Sequence, residues 1–389
     1  MTVSEPMQII AALGYLCLAA AIAGCIITII EAYTVLRFAG TNMPMPSIQP
    51  PVTVLKPLHG TAEPDLLGRL GQFYDQDYAG PVQVVFGVRD DASASAAIAR
   101  QVRAELSHET IELVADARGH GSNRKVSNLV NMLPSARHDI LVLSDSDIVV
   151  SSDYLSTVTS LLEAPRAGAV TCLYYGIGEG LWARLSALTI NAYFLPLAIM
   201  AGRLRLAHYC GGATIALRRT TLDRIGGFGA FADVLADDHA IGAAVRSLGH
   251  HVVIAPFLVG HRCFEVSLRQ LFLQQLRAAR TIKTIQPIGY AGSFVVHPIS
   301  LALLGAFSGS VATAAGIAAI AVVLRLMTCR CVERRFGLPR QDYWLVPLQD
   351  VTSFAIYVVS FFGKMVHWRG IDYRVAPSGV MVEQDLGNA

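Results

Sequence analysis

Charge is scarce in this chain. Only 15% of its 389 residues are Asp, Glu, Lys or Arg, against 53% hydrophobic residues, and the mean hydropathy is +0.46. An ordinary soluble domain carries charge on about a quarter of its residues. The formal net charge is +2, too small for a nucleic-acid surface, so no nucleic-acid partner is expected. Cysteine pairing is also missing. The seven cysteines (Cys17, Cys25, Cys172, Cys210, Cys263, Cys329, Cys331) are odd in number, and none has zinc-type CxxC spacing. Reduced thiols are the expectation. Internal repeats and low-complexity tracts are lacking as well.

Charge is absent in blocks. Ile9 to Ile30 holds 22 residues without any, enough to cross a bilayer as a helix. The block is longer than a signal-peptide core, and no small-residue cleavage site clearly follows. Residues 8–36 are therefore expected to be a retained anchor. Gln286 to Leu324 is a second block, 39 residues long. It is too long for one crossing, and Ser308-Gly309-Ser310 marks a turn near its middle. A transmembrane hairpin over 286–327 is expected, with His297-Pro298 inside its first helix. Residues 343–366 contain a shorter apolar stretch that fits a short crossing, a re-entrant segment or an interfacial helix. A basic tail, 367–389, follows. Arg277, Arg280 and Lys283 precede the hairpin, and Arg330, Arg334, Arg335 and Arg340 follow it. By the positive-inside rule both flanks, and the hydrophilic stretch 50–285, face the cytoplasm. Within that stretch Leu181 to Leu206 is apolar but broken by Arg184, Pro196, Arg203 and Arg205. It reads equally as helices at the lipid surface or as a buried pair.

Residues 50–285 alternate short β-rich runs with helical spacing. Val52 to Pro57, Val82 to Val88, Ile111 to Val114 and Asp139 to Leu143 read as strands. Leu66 to Phe73, Ala94 to Leu106 and Lys125 to Met132 read as helices. This alternation predicts an α/β domain with a mostly parallel, Rossmann-like sheet and ligands at the strand C-terminal ends. Acids fall at two of those ends. Asp145 and Asp147, in Ser144-Asp145-Ser146-Asp147, follow the apolar run Ile140 to Leu143. Two carboxylates so spaced suit a hard divalent cation, Mg²⁺ or Mn²⁺, that in turn holds phosphates. Asp90 and Asp91 follow the second strand and could accept hydrogen bonds from a nucleotide, or cap the next helix. Lys125 could neutralise a diphosphate. Further on, Gly211-Gly212 allows close backbone approach to a ligand. Asp237-Asp238 opens an alanine-rich helix; either acid could cap it, or take a proton from an attacking hydroxyl. Gln274 and Arg277 share one face of a basic helix that could meet lipid head groups or a diphosphate.

The ordered set of Lys56-Pro57, Arg89-Asp90-Asp91, Lys125, Asp145-x-Asp147, Asp237-Asp238 and Gln274-x-x-Arg277 resembles the membrane-bound GT-A glycosyltransferases. It is most similar to the ceramide-glucosyltransferase-like group, and within it to the bacterial hopanoid-biosynthesis-associated glycosyltransferases. The anchor, the hairpin and the closing Trp368-Arg369-Gly370-x-x-Tyr373-Arg374 extend the resemblance over nearly the whole chain. It implies a GT-A domain facing the cytoplasm of a bacterial inner membrane. It also implies inverting transfer of a hexose, N-acetylglucosamine by the resemblance, from a UDP-sugar to a membrane lipid hydroxyl such as a hopanoid polyol. A ceramide or diacylglycerol acceptor with UDP-glucose is the alternative, and a degenerate nucleotide-sugar-binding protein a second.

Carried over by position, Lys56, Asp90, Asp91, Lys125 and Asp145 would contact the nucleotide-sugar, and Asp145 and Asp147 the metal. Asp238 would be the general base, with Gln274 and Arg277 beside the leaving group, and Gly211, Gly212 and Asp237 would face the acceptor. One departure stands out: the family motif ends in Arg-Trp, whereas Arg277 is followed here by Ala278.

Overall fold

The computed structural model describes residues 5–38, 49–61, 63–106, 110–363, 365–368, 371–376 and 379–383. Two units emerge. One comprises Ala39–Tyr175, Tyr209–Phe264 and Arg369–Ala389; the other comprises Met1–Phe38, Gly176–His208 and Glu265–Trp368. The expected 50–285 domain is thus interrupted, because 176–208 and 265–285 cluster with the apolar helices.

The first unit is built on a sheet of eight strands: β1 (Val52–Pro57), β2 (Val82–Val88), β3 (Ile111–Ala115), β4 (Ile140–Leu143), β5 (Ile148–Val149), β6 (Ala167–Gly178), β7 (Ile215–Arg218) and β8 (His251–Cys263). Their order is β3-β2-β1-β4-β7-β6-β8-β5. The β1–β2, β2–β3 and β1–β4 pairs are parallel, while β4–β7, β6–β7 and β5–β8 are antiparallel. Both sheet faces are covered. Val54, Val84 and Val142 enter one core, and their chain neighbours Leu55, Val85 and Leu143 enter the other. The period-two side-chain geometry of a strand requires this division, and it explains why these strands read as unbroken apolar runs. The parallel register carries the ends of β1, β2 and β4 to one edge of the sheet, where Asp90 and Asp145 begin their loops.

The second unit is helical. Among the described residues, three helices are long and apolar enough to cross a membrane: Glu5–Leu36, Leu181–Arg203 and Val311–Phe336. The Leu181–Arg203 run corrects the expectation of a broken segment. Pro196 falls in the first turn of helix Leu195–Arg203, just after a wide π-type turn at Ile190–Phe194. A proline there removes little, since the π turn already interrupts the regular ladder. The first half of the expected hairpin is also not one helix. Pro287–Val296 and Pro298–Ser308 meet at a 66° bend, and together they would supply a fourth span. His297 sits at φ −111°, ψ 59°, outside the helical region, as a residue before proline tends to. The last apolar stretch forms helix Val346–Ser360, 15 residues long. That is roughly 22 Å, short of a hydrocarbon core of about 30 Å.

Both irregularities are served by one side chain. Arg325 donates to the Ala192 carbonyl of the π turn (2.8 Å) and to the Val296 carbonyl at the bend (3.1 Å). It also pairs with Glu31 at 2.7 Å, and each partner's side chain is only 1% exposed. The basic residues ahead of the hairpin are committed too. Arg280 donates to the Phe362 (2.7 Å) and Met365 carbonyls, and Lys283 to that of Ser360 (2.5 Å). Lys283 thus meets the C-terminal end of Val346–Ser360, where cations are favoured, and Arg280 holds the chain just beyond it.

Candidate active site

The Ser144–Asp147 segment is a turn between β4 and β5, and its backbone is held on all sides. Lys56 Nζ reaches the Asp145 carbonyl at 2.5 Å, Arg69 Nε the Ser146 carbonyl at 3.2 Å, and the Arg262 N–H the Asp147 carbonyl at 2.9 Å. With the carbonyls tied inward, side chains alternate: Ser144 and Ser146 are buried while Asp145 and Asp147 stay half-exposed. Their side-chain exposures of 34% and 29% leave both carboxylates open to a ligand.

Further residues close around Asp145. Lys125 Nζ lies 2.7 Å from Asp145 Oδ1 and 3.3 Å from Asp237 Oδ2, bridging the two acidic motifs. The Gly212 carbonyl accepts from the Asp145 N–H (3.3 Å), and the Gly212 N–H donates to Asp238 Oδ2 (2.9 Å). The other Asp238 oxygen accepts the His239 N–H at 2.7 Å. Asn123 caps helix Arg124–Met132 through Oδ1, which aims Lys125, and its Nδ2 donates to Asp237 Oδ1 at 3.3 Å. Asp145, Asp237, Asp238 and Lys125, spread over more than a hundred positions, thus form one cluster with Asp147 on its flank.

Electrostatics separates the carboxylates. Asp238 is pushed up to about 6, first by burial and then by the neighbouring Asp237 charge, against the pull of Lys125. Burial also acts on Asp147, but His261 and Lys56 outweigh it and hold this carboxyl below the usual range. Asp145 is raised, by burial ahead of all else. Burial opposes the Lys125 charge, yet Asp145, Asp237 and Asp238 overcome it and keep the ammonium firmly protonated. Asp238 and Asp147 are thus pushed in opposite directions within one site.

Some expected residues sit differently. Lys56, expected to touch the nucleotide, is fully buried, with Nζ 3.8 Å above the Phe73 ring; it positions the Asp145 turn from beneath. Asp237, expected to face the acceptor, is 5% exposed and turned onto Lys125 and Asn123. Gly211 and Gly212 are buried, and the close approach they permit is to the site itself. A Cβ on Gly212 would stand 2.7 Å from Asp145 Oδ2 and 2.8 Å from Lys125 Nζ, and one on Gly211 would collide with the Tyr209 hydroxyl. Asp90 and Asp91 are exposed and locally engaged, Asp90 with the Ala92 N–H (2.9 Å) and Asp91 with Arg100. Gln274 and Arg277 lie one turn apart on helix Leu268–Ile285 of the helical unit. His261 was not foreseen. Its Nδ1 lies 3.4 Å from Asp147 Oδ2, but it comes from β8, 114 positions away, with no local motif to mark it. Arg69 had a faint signal, as the one cation in the apolar helix Leu66–Gln72.

The residues present suit a divalent cation. Asp147 Oδ1 is buried without a hydrogen-bond partner, next to the open Asp145 carboxylate. Among the described residues no three His, Cys, Asp or Glu side chains gather to hold a metal alone. That is compatible with Mg²⁺-type binding, in which one or two carboxylates are supplemented by water and substrate phosphate.

Comparison with known proteins agrees with this arrangement. The sequence profile of glycosyl transferase family 21 matches residues 16–381. The chain belongs to that family. A curated relative, ceramide glucosyltransferase 1 of Caenorhabditis elegans, is 23% identical over 225 residues, or 57% of this chain and 47% of the relative. The chain therefore spans about half the length of that protein. Among solved structures it is similar to a mannosyltransferase from Pyrobaculum calidifontis in complex with GDP-Man and Mn²⁺. The TM-score is 0.52 and the identity 21%, covering 91% of this chain and 99% of the other. A glucosyl-3-phosphoglycerate synthase from Mycobacterium tuberculosis, with Mn²⁺ and UDP-glucose, follows at TM-score 0.37, 16% identity, and 60% and 77% coverage. This family 21 member thus has the GT-A fold, with apolar helices able to span a membrane.

Proposed function

We propose that this family 21 protein is an inverting glycosyltransferase that moves a hexose from a UDP-sugar to a hydroxyl of a membrane lipid. The observation that carries the reading is the joining of Asp145 to Asp238 through Gly212, with Lys125 bridging Asp145 and the adjacent Asp237. A phosphate-binding edge and a raised carboxyl then share one site. Asp238 takes the acceptor's hydroxyl proton on Oδ while the acceptor oxygen forms its bond to the anomeric carbon. The bond from that carbon to the diphosphate oxygen breaks with its electron pair, and UDP leaves. Attack opposite the leaving group inverts the anomeric centre. General-base help of this kind is worth roughly 10²–10⁴-fold.

Asp145 and Asp147 would hold Mg²⁺ or Mn²⁺, with His261 beside them. Bound there, the cation offsets negative charge on the departing diphosphate. Lys125 supplies a fixed positive charge at the same edge, and Asp90 and Asp91, at the end of β2, are proposed for the nucleoside. Gln274 and Arg277 are assigned to the leaving group by the family motif, and Ala278 makes Arg277→Ala an informative variant. Membrane insertion with the α/β unit on the cytoplasmic side follows from the arginines flanking the apolar helices.

For the finer choice we favour N-acetylglucosamine and a hopanoid polyol, on the resemblance of the ordered motifs. Glucose and ceramide are the second reading, favoured by the curated relative. Incubation of membranes with each UDP-sugar and lipid extract, followed by mass analysis, distinguishes them. A new hexosamine-bearing hopanoid supports the first reading and a hexosyl ceramide the second. No glycolipid with any donor, despite retained UDP binding, would leave only a binding protein.

A further inference from the structure

We infer that the C-terminal tail is a positioning element for Asp238, so that residues 379–381 set the geometry of the acid proposed as general base. The inference rests on that reading of Asp238.

The loop ahead of Asp238, residues 232–236, is not part of a sheet or helix. Its backbone is gripped from two sides. On one side lies the segment that aims Lys125. The Asn123 N–H donates to the Ala232 carbonyl (2.7 Å), the Ser122 N–H to Asp233 Oδ1 (2.8 Å), and Asn123 Nδ2 to the Val234 carbonyl (2.8 Å). On the other side lies the tail. The Met381 N–H donates to the Asp233 carbonyl at 2.8 Å and the Leu235 N–H to the Gly379 carbonyl at 3.0 Å. Val234 and Val380 form an antiparallel bridge between these bonds. The loop is thus held between the Ser122–Asn123 segment and the tail, and Asp237 and Asp238 follow directly.

The tail is itself built to do this. Ile371–Val375 pairs antiparallel with Met381–Glu383, and Tyr373 and Met381 are 1% and 2% exposed. The connection turns at Gly379, whose φ of 82° favours glycine. The Gly379 N–H closes the turn onto the Ala376 carbonyl (2.8 Å), and the Ala376 N–H onto the Val380 carbonyl (2.9 Å). Removing the tail takes two backbone bonds from residues 233–235 while leaving the Lys125 side intact. The loss falls on the placement of Asp238 against the Gly212 N–H, not on the Asp145 turn that would face the nucleotide. In sequence the tail follows every apolar helix, so a chain cut short within or after the membrane unit lacks this support.

The test uses the full-length protein in detergent or nanodiscs beside a chain ending at Val375, and the variants Gly379→Val and Gly379→Asn. Asn tolerates positive φ and Val does not. We expect the truncated chain to lose tenfold or more in kcat, with KM for the UDP-sugar and UDP affinity within twofold of wild type. Amide exchange at Leu235 should rise tenfold or more, with exchange in β1 and β4 unchanged. Gly379→Val should show the same pattern more weakly, and Gly379→Asn should restore it. Unchanged kcat and unchanged Leu235 exchange would overturn the inference. So would a loss of UDP binding and a rise in exchange across the sheet, which would make the tail a general support. Should the full-length protein turn over no UDP-sugar, the proposed function fails, while Leu235 exchange still decides whether the tail holds the loop.

Discussion

Each unit buries a cation against carboxylates, and the two clusters end in opposite conditions. In the helical unit Glu31 and Arg325 are sealed, and Arg325 also donates to the Ala192 and Val296 carbonyls. In the α/β unit Lys125 is almost as enclosed, yet its partner Asp145 stays a third exposed and Asp147 nearly as much. A closed ion pair fixes how helices meet at a bend and a wide turn. A half-open one stores carboxylate capacity for something that arrives from outside. The same residue types therefore serve shape in one place and chemistry in the other.

Substitution at each cluster sharpens the contrast. Asp238→Asn should lower kcat by roughly 10²–10⁴-fold, with UDP affinity and thermal stability kept; a stability loss matching the activity loss would make Asp238 structural. Glu31→Ala should do the reverse. Leaving Arg325 buried and unpaired costs about 3–5 kcal/mol, read as a lower melting point, while the surviving folded fraction keeps its pH–rate profile. Gly212→Ala is a smaller perturbation at the open cluster. Its methyl would press on Asp145 and Lys125, and overpacking of this kind costs about 1–3 kcal/mol. Activity should fall ahead of stability, since the strain sits on the site side chains.

The mildest test is pH. A base must be deprotonated, and Asp238 is raised to about 6, so kcat/KM should be flat above about pH 6 and fall about tenfold per unit below it. Glu31→Ala should leave that midpoint in place, whereas Lys125→Met should move it upward, because Lys125 pulls the Asp238 pKa down.

Much of the α/β unit was legible because its strands are short, apolar on both faces and closed by acids or proline, as Val82–Val88 before Arg89-Asp90 shows. The long strands β6 and β8 were not. β8 does hold an apolar run, Val252 to Val259, but Pro256 falls inside it, and a proline within such a run argues against a strand. His261 was hidden for the same reason. Asp145, Asp147 and Asp238 could be picked out by spacing, but the inward roles of Lys56 and Asp237 depend on burial that no local pattern encodes. In the helical unit the uncharged blocks announced the apolar helices. Glu31 and Arg325, the first charges after Ile30 and Leu324, gave no hint that they pair with each other across 294 positions.

The most direct test separates donor binding from transfer on the same preparation. UDP affinity with and without Mn²⁺, and the single-turnover transfer rate, are measured for wild type, Asp147→Asn and Asp238→Asn. The account predicts that Asp147→Asn abolishes the Mn²⁺-dependent part of UDP binding, while Asp238→Asn binds UDP as wild type does and fails to transfer. Metal-dependent UDP binding untouched by Asp147→Asn, or full transfer by Asp238→Asn, would contradict it.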